Sequence, residues 1–237
     1  VRELAPDVPL LANLGAAQLA GPEGIARCLA AVRMIEADAL VIHVNPLQEA
    51  LQPEGTARFA GLIERIGEAA AAIDVPIMVK EVGWGISGNI ANRLAQVGIA
   101  GIDVAGAGGT NWGAVERLRM DDPVMVRVAD EFREWGIPTA DSVVACRRGF
   151  PDGLIIASGG MRTGLDAAKC LALGADAVGF AAPLLKAAVV SRRAVDERLH
   201  GIIEGLRIAM FCIGAANVAD LAGTPHLVHD RRDVTST

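Results

Sequence analysis

Short, almost wholly apolar runs recur along the chain at Val8–Leu14, Ala39–Val44, Pro76–Val82, Gly101–Ala105, Leu154–Ser158 and Ala177–Phe180. They do not alternate between apolar and polar positions. A strand with one wet face alternates, whereas a parallel strand covered on both faces does not. Each run is followed by a stretch with helix-like amphipathic spacing, as in Gly24–Ile35, Thr56–Ile73, Ser87–Val97 and Thr163–Leu173. Ser87 stands where an N-cap belongs, and Thr163 precedes Asp166, an acid suited to a first helical turn. Gly98 and Gly174 stand where glycine ends a helix. Strand, helix, strand without hairpin turns predicts a parallel sheet.

An open doubly wound sheet and a closed barrel both satisfy that pattern. Three helix-to-strand phrases are near-copies: Glu36-Ala37-Asp38-Ala39, Val97-Gly98-Ile99-Ala100-Gly101 and Leu173-Gly174-Ala175-Asp176-Ala177. Such repetition suggests equivalent units around a ring. A dinucleotide fold wants G-x-G-x-x-G directly after an early strand. Gly106-Ala107-Gly108-Gly109 follows a late strand and lacks that spacing. The expectation is a (β/α)8 barrel forming one domain over residues 1–237. Its first two βα units are expected in a segment preceding this chain, since a barrel needs eight strands and six are visible. The last helical stretch, Arg192–Leu221, is expected to pack across the closing side.

Composition narrows the function classes. The chain is 52% hydrophobic and 21% charged, with mean hydropathy +0.38, enough for a large core. No apolar run reaches the roughly 18 residues of a membrane span, and Val1-Arg2-Glu3-Leu4 does not open a signal peptide. A net charge of −6 and a pI near 5.3 leave no basic footprint for nucleic acid. Cys28, Cys146, Cys170 and Cys212 form no CxxC and read as reduced thiols of a cytoplasmic protein. His226 and His229 have a helical metal spacing but sit beside Pro225, which makes them a weak ligand pair.

In a barrel, polar residues at the C-terminal strand ends make the active site. Lys80 ends the apolar run Pro76–Val79 and is one of three lysines against nineteen arginines. A lysine there either snorkels or is paired, and it could stabilise negative charge on a reduced cofactor ring. Ser158-Gly159-Gly160 and Gly179-Phe180-Ala181-Ala182 lie on the last two strands, where barrels often build a phosphate site from glycine backbone and a short helix N-terminus. Arg162 could add a charged fork. His43, Asn45, Gln48 and Glu49 crowd into seven residues, and Glu49 has the hard oxygens that suit Mg2+. Trp84 and Trp112 lie on glycine-rich loops, either as packing or as shields for a flat cofactor or apolar tail.

Four segments, His43–Glu49, Val79–Ser87, Asp103–Thr110 and Ala157–Gly164, resemble the type 2 isopentenyl-diphosphate isomerases, over about Val8 to Ala182. The resemblance implies an FMN-dependent conversion of isopentenyl to dimethylallyl diphosphate, with one proton gained, one lost and no net redox change. It implies FMN reduced by NAD(P)H, and Mg2+ on the diphosphate. Residue by residue, Asn13, Lys80 and Thr110 would contact FMN, and Gly159, Gly160, Met161, Arg162, Ala181 and Ala182 would hold its phosphate. His43, Asn45, Gln48 and Trp112 would face the substrate. Gln48 and Lys80 would be the catalytic residues, Gln48 helping to move the proton, and Glu49 would bind Mg2+. Ala105 stands where many members carry Ser. A homo-oligomer is also expected. The alternative is an FMN-dependent 2-hydroxy-acid oxidoreductase, but its histidine base is absent from Gly106–Thr110.

Overall fold

A computed structural model describes residues 1–227. His229 of the weak ligand pair lies outside them. Each of the six expected strands forms: β1 Leu11–Gly15, β2 Ala39–His43, β3 Ile77–Lys80, β4 Gly101–Asp103, β5 Leu154–Ala157 and β6 Ala177–Val178. All neighbouring pairs are parallel, and the order is β1-β2-β3-β4-β5-β6. A doubly wound sheet reverses its order at a switch point. Here the order runs straight through, as around the wall of a (β/α)8 barrel, of which this sheet supplies six strands.

The helices are α1 Ala16–Leu19, α2 Gly24–Ile35, α3 Pro46–Leu51, α4 Leu62–Ala72, α5 Gly88–Ala95, α6 Trp112–Arg117, α7 Pro123–Glu131, α8 Thr139–Gly149, α9 Gly164–Ala172, α10 Ala182–Val190 and α11 Arg192–Ile213. α2 matches its sequence pattern residue for residue. α4 begins six residues after Thr56, because the chain first turns through Gly61 in the left-handed region. α11 ends at Gly214, also left-handed, and a separate 3-10 turn spans Val218–Leu221. α11 packs on α9 and α10. No helix among the described residues is long and apolar enough to cross a membrane.

The expected caps hold. Ser87 accepts from the Ile90 amide, and Thr163 and Asp166 form a reciprocal capping box, which satisfies amides that have no partner within the helix. The repeated phrases also have a common physical role. Asp38 accepts the Leu10 amide at 2.7 Å and pairs with Arg2. Asp176 accepts the Ile155 amide at 2.7 Å and pairs with Arg147. Each aspartate thus staples the start of its own strand to the neighbour. Ala100, at the same place in the third phrase, has no carboxylate to do this and is held by backbone bonds alone, to Ile77 and Leu154.

One face of the sheet carries Leu40, Ile42, Val79, Ile102 and Ile155, all fully buried against Cys28, Ile66, Leu94 and Val143 of the helix layer. This layer fixes the strands. The opposite face, at the C-terminal strand ends, carries the polar residues.

Candidate active site

Register places three chemistry-bearing side chains in one row. Gly15 pairs with His43, His43 with Lys80, and Lys80 with Asp103. In-register neighbours of a parallel sheet project to the same face. Asn13, two residues before Gly15, joins that face, with its Oδ1 2.6 Å from His43 Nδ1. An amide oxygen only accepts, so Nδ1 carries the proton and Nε2 presents a lone pair. Burial, and then the Lys80 ammonium, lower the His43 pKa, with Glu49 opposing. The Lys80 ammonium donates to the Glu81 carbonyl at 2.7 Å. Ser158 closes the row, its hydroxyl donating to Asp103 Oδ1 at 2.6 Å.

A second cluster forms where β2 runs into α3. Pro46 takes the first helical position, where its missing N–H costs nothing. Gln48 and Glu49 therefore stand one turn beyond Asn45. Asn45 Nδ2 donates to Gln48 Oε1 at 3.2 Å and to Glu49 Oε1 at 3.1 Å. Gln48 Nε2 donates to Glu116 Oε1 at 2.9 Å. Glu116, on α6, is 3% exposed, and its other oxygen takes Arg119 at 2.8 Å. Both ends of the Gln48 amide are thereby oriented. Glu49 Oε2 accepts the Thr56 amide at 2.7 Å. Asn45 Oδ1 is buried without a partner, an orphan oxygen beside a carboxylate. Among the described residues, no group of three or more His, Cys, Asp or Glu is placed to hold a metal by itself.

The third component is the loop after β5. Gly159 and Gly160 have φ of +96° and +76°, values that L side chains avoid. A Cβ on either would strike the backbone of Gly106 or Gly108, so the two glycine loops lie against each other. Thr139, starting α8, donates to the Gly159 carbonyl at 2.6 Å. The Arg162 guanidinium donates to the carbonyls of Gly160 at 3.0 Å and Gly108 at 3.2 Å. Met161 turns its side chain inward toward Cys170, so only its backbone faces the loop. Ala181 and Ala182 open α10 and are exposed.

Thr110 lies on the β4 loop, whereas Trp112, expected on a loop, opens α6 because Asn111 caps the helix; both stand beside Gly83. Trp112 is 40% exposed and free to cover a ligand, whereas Trp84 is buried against Gly113 and Gly136 and is packing. The Glu81 carboxylate accepts the amides of Val82, Gly83 and Trp84 at 2.6–2.8 Å, which holds the β3 loop in shape. A cavity of 740 Å³ lies between Phe59 and the helix residues Leu62, Ile66 and Leu94 on one side and Pro46 and Glu81, which follow β2 and β3, on the other, and none of the His43–Lys80–Asp103 row lines it.

The sequence does not mark Asp103 or Glu116 as site residues, and it marks Ser158 only with the glycines of the phosphate loop. Asp103 and Ser158 stand in the strand-end segments, and register alone shows that they meet. Glu116 lies in a helix 68 residues from Gln48, and its one local signal is a carboxylate on the buried side of a short helix.

The sequence model of the FMN-dependent dehydrogenase family matches residues 16–229. An isopentenyl-diphosphate delta-isomerase of Stutzerimonas stutzeri (strain A1501) is 51% identical over 221 residues, covering 93% of this chain and 64% of that protein. The isomerase of Pseudescherichia vulneris is 52% identical over the same length, with the same coverage. The chain thus spans a little under two thirds of the length of these curated relatives. Among solved structures, a mandelate oxidase variant with an FMN monooxide adduct matches with a TM-score of 0.64 at 21% identity, covering 94% of this chain and 65% of that one. That likeness shows the fold. With the family match reaching from the end of β1 past α11, the chain belongs to the FMN-dependent dehydrogenase family.

Proposed function

We propose that this chain is the greater part of an isopentenyl-diphosphate delta-isomerase of the FMN-dependent type, a cytoplasmic enzyme of isoprenoid synthesis. The observation that carries the reading is the Asn45–Gln48–Glu49 cluster, with the Gln48 amide oriented by buried Glu116. The isomerases of two bacteria, each about half identical to this chain, support it.

The residues present fit FMN. The left-handed Gly159 and Gly160 leave their backbone free of side chains, as a phosphate loop requires. Arg162 braces that loop, Met161 contributes its backbone, and Ala181 and Ala182 open the helix beside it. Asn13, Lys80 and Thr110 are the ring contacts of this reading. When bound and reduced, by NAD(P)H, FMN supplies the acid–base group of a reaction with no net redox change. Lys80 provides the cation that favours negative charge beside it. Neutral His43 offers Nε2 to the substrate, Asn45 and Trp112 face it, and Gln48 helps to move the proton. Mg2+ keeps several waters and few protein ligands. Glu49 would hold it, with the orphan Asn45 oxygen as the second donor.

The partners of this reading are a small diphosphate and further copies of the chain, with no nucleic acid. Residues 1–237 form one domain in it. The test is proton NMR of isopentenyl diphosphate with the full-length gene product, FMN, NADPH and Mg2+ under anaerobic conditions. Dimethylallyl methyl signals are expected, and they are lost in Gln48→Ala. A flavin-loaded protein that gives no conversion overturns the reading.

A further inference from the structure

We infer that Arg198 of α11 is a positioning residue of the glycine loop after β5: it ties that loop from outside and adds a guanidinium charge to it, so that the site selects a flavin with a phosphate over one without. The inference deepens the FMN reading above and rests on it.

The loop has donors to offer. The amides of Gly159, Gly160 and Met161 have no hydrogen-bond partner among the described residues. The backbone at Arg162, by contrast, is held from both sides. Its amide and that of Thr163 donate to Asp166 Oδ2 at 3.1 Å and 2.9 Å. Its carbonyl accepts the Arg198 guanidinium at 2.7 Å. The peptide between Arg162 and Thr163 is planar, so holding its C=O and its N–H together fixes its orientation. Without Arg198 only the N–H end is held.

Helix packing puts Arg198 in reach. Arg198, Ile202 and Gly205 recur at i, i+4 and i+7 and share one face of α11. Ile202 is buried, and Gly164, the first residue of α9, lies against the backbone of Ile202 and Leu206. One turn earlier, the same face brings Arg198 to the residues that lead into α9.

The charge is also left available. Other arginines of α11 are neutralised within the helix, Arg192 by Asp196, Arg193 by Glu197 and Arg207 by Glu204. Arg198 has no carboxylate partner among the described residues and donates to a carbonyl instead. Arg162 likewise donates to the Gly160 and Gly108 carbonyls. The β6 loop, Gly179–Ala182, carries no charged side chain. Two guanidinium groups therefore stand at the loop against the carboxylate of Asp166, whose Oδ2 is already engaged by two amides. That balance favours an anion, and guanidinium suits the oxygens of a phosphate.

The experiment is titration of the flavin-free, full-length protein with FMN and with riboflavin, followed by flavin fluorescence. Riboflavin has the ring and ribityl chain of FMN without its phosphate, and the wild type is expected to favour FMN. Arg198→Ala is expected to weaken FMN binding by about tenfold, the scale of one charge-assisted hydrogen bond. Its affinity for riboflavin is expected to stay within about twofold of the wild type, because no contact to the ring is altered. Arg198→Gln keeps an N–H donor but no charge. It serves should the alanine variant fold poorly, and it is expected to lose affinity for FMN and not for riboflavin.

Equal losses for the two flavins overturn the inference, because Arg198 then supports only the packing of α11. Unchanged FMN binding in either folded variant also overturns it. A wild type that binds the two flavins alike, or neither, defeats the FMN reading at this loop, and the inference with it.

Discussion

His43 shows how a single side chain acquires its state from neighbours distant in sequence. Its Nδ1 proton is committed to Asn13, thirty residues away, and burial and Lys80 both oppose a second proton. Its pKa in the folded protein therefore lies below the ordinary 6.5. The sign follows from proton counting: the unfolded chain binds a proton at His43 more readily. The stabilisation is therefore complete above about pH 6.5 and is lost as the pH falls through the lowered value. The stability advantage of the wild type over His43→Gln is expected to shrink as the pH drops from about 7.5 to about 5.5. Urea midpoints of both proteins measured across that window test it. A constant difference would show that the imidazole never senses Lys80 or its burial. His43 and Lys80 stand out in the sequence because they interrupt apolar runs. Asp103 and Glu116 stand out less, because a carboxylate is common near strand ends and on short helices. What sets them apart is the partner, which only the fold supplies.

At the scale of elements, the apolar runs and caps carry most of the information. The six strands and α2 follow from local pattern, since each strand is a short apolar run, with β2, β3 and β4 buried along most of their length, and each cap is a short-range hydrogen bond. The helices α3, α6, α7 and α8 are less legible. α3 and α6 have only six residues each, too few for a period to show. α8 follows a Gly136-Ile137-Pro138 turn and buries Ser142 and Cys146, both donating to the Ile86 carbonyl, so its inner face is polar. The contact between α9 and α11 is made through glycine. A Cβ at Gly164 would meet the Ile202 carbonyl and the Leu206 amide, both backbone, whereas one at Gly205 would come no closer than 3.3 Å to Gly164. Gly164→Ala is expected to cost about 3 kcal/mol, since neither backbone can yield. Gly205→Ala is expected to be close to neutral, a mild contact offset by up to about 1 kcal/mol of helix propensity. Paired denaturation curves decide it, and equal losses would show that the two helices do not meet there.

The whole molecule poses a different problem, because its architecture is shared by proteins of unlike chemistry. The straight-through strand order and the match to a mandelate oxidase variant at a TM-score of 0.64 say where a site lies, at the strand ends, and nothing about which bond changes there. The choice between isomerisation and oxidation of a 2-hydroxy acid therefore rests on a few rim residues. Oxidation needs a base to take the substrate's proton while hydride passes to the flavin. The β4 loop, Gly106–Thr110, offers no imidazole or carboxylate. His43 is on the row with a free Nε2, but it ends β2, away from the β4 loop where this chemistry places its base. Glu81 is spent on three amides, and Glu116 on Gln48 and Arg119. Anaerobic mixing of the flavin-loaded, full-length protein with a 2-hydroxy acid such as mandelate is therefore expected to leave the oxidised flavin band unbleached, while NADPH bleaches it. Bleaching by the hydroxy acid would mean that His43 Nε2 or one of the engaged carboxylates acts as the base, and it would move the chemistry of this site to oxidation.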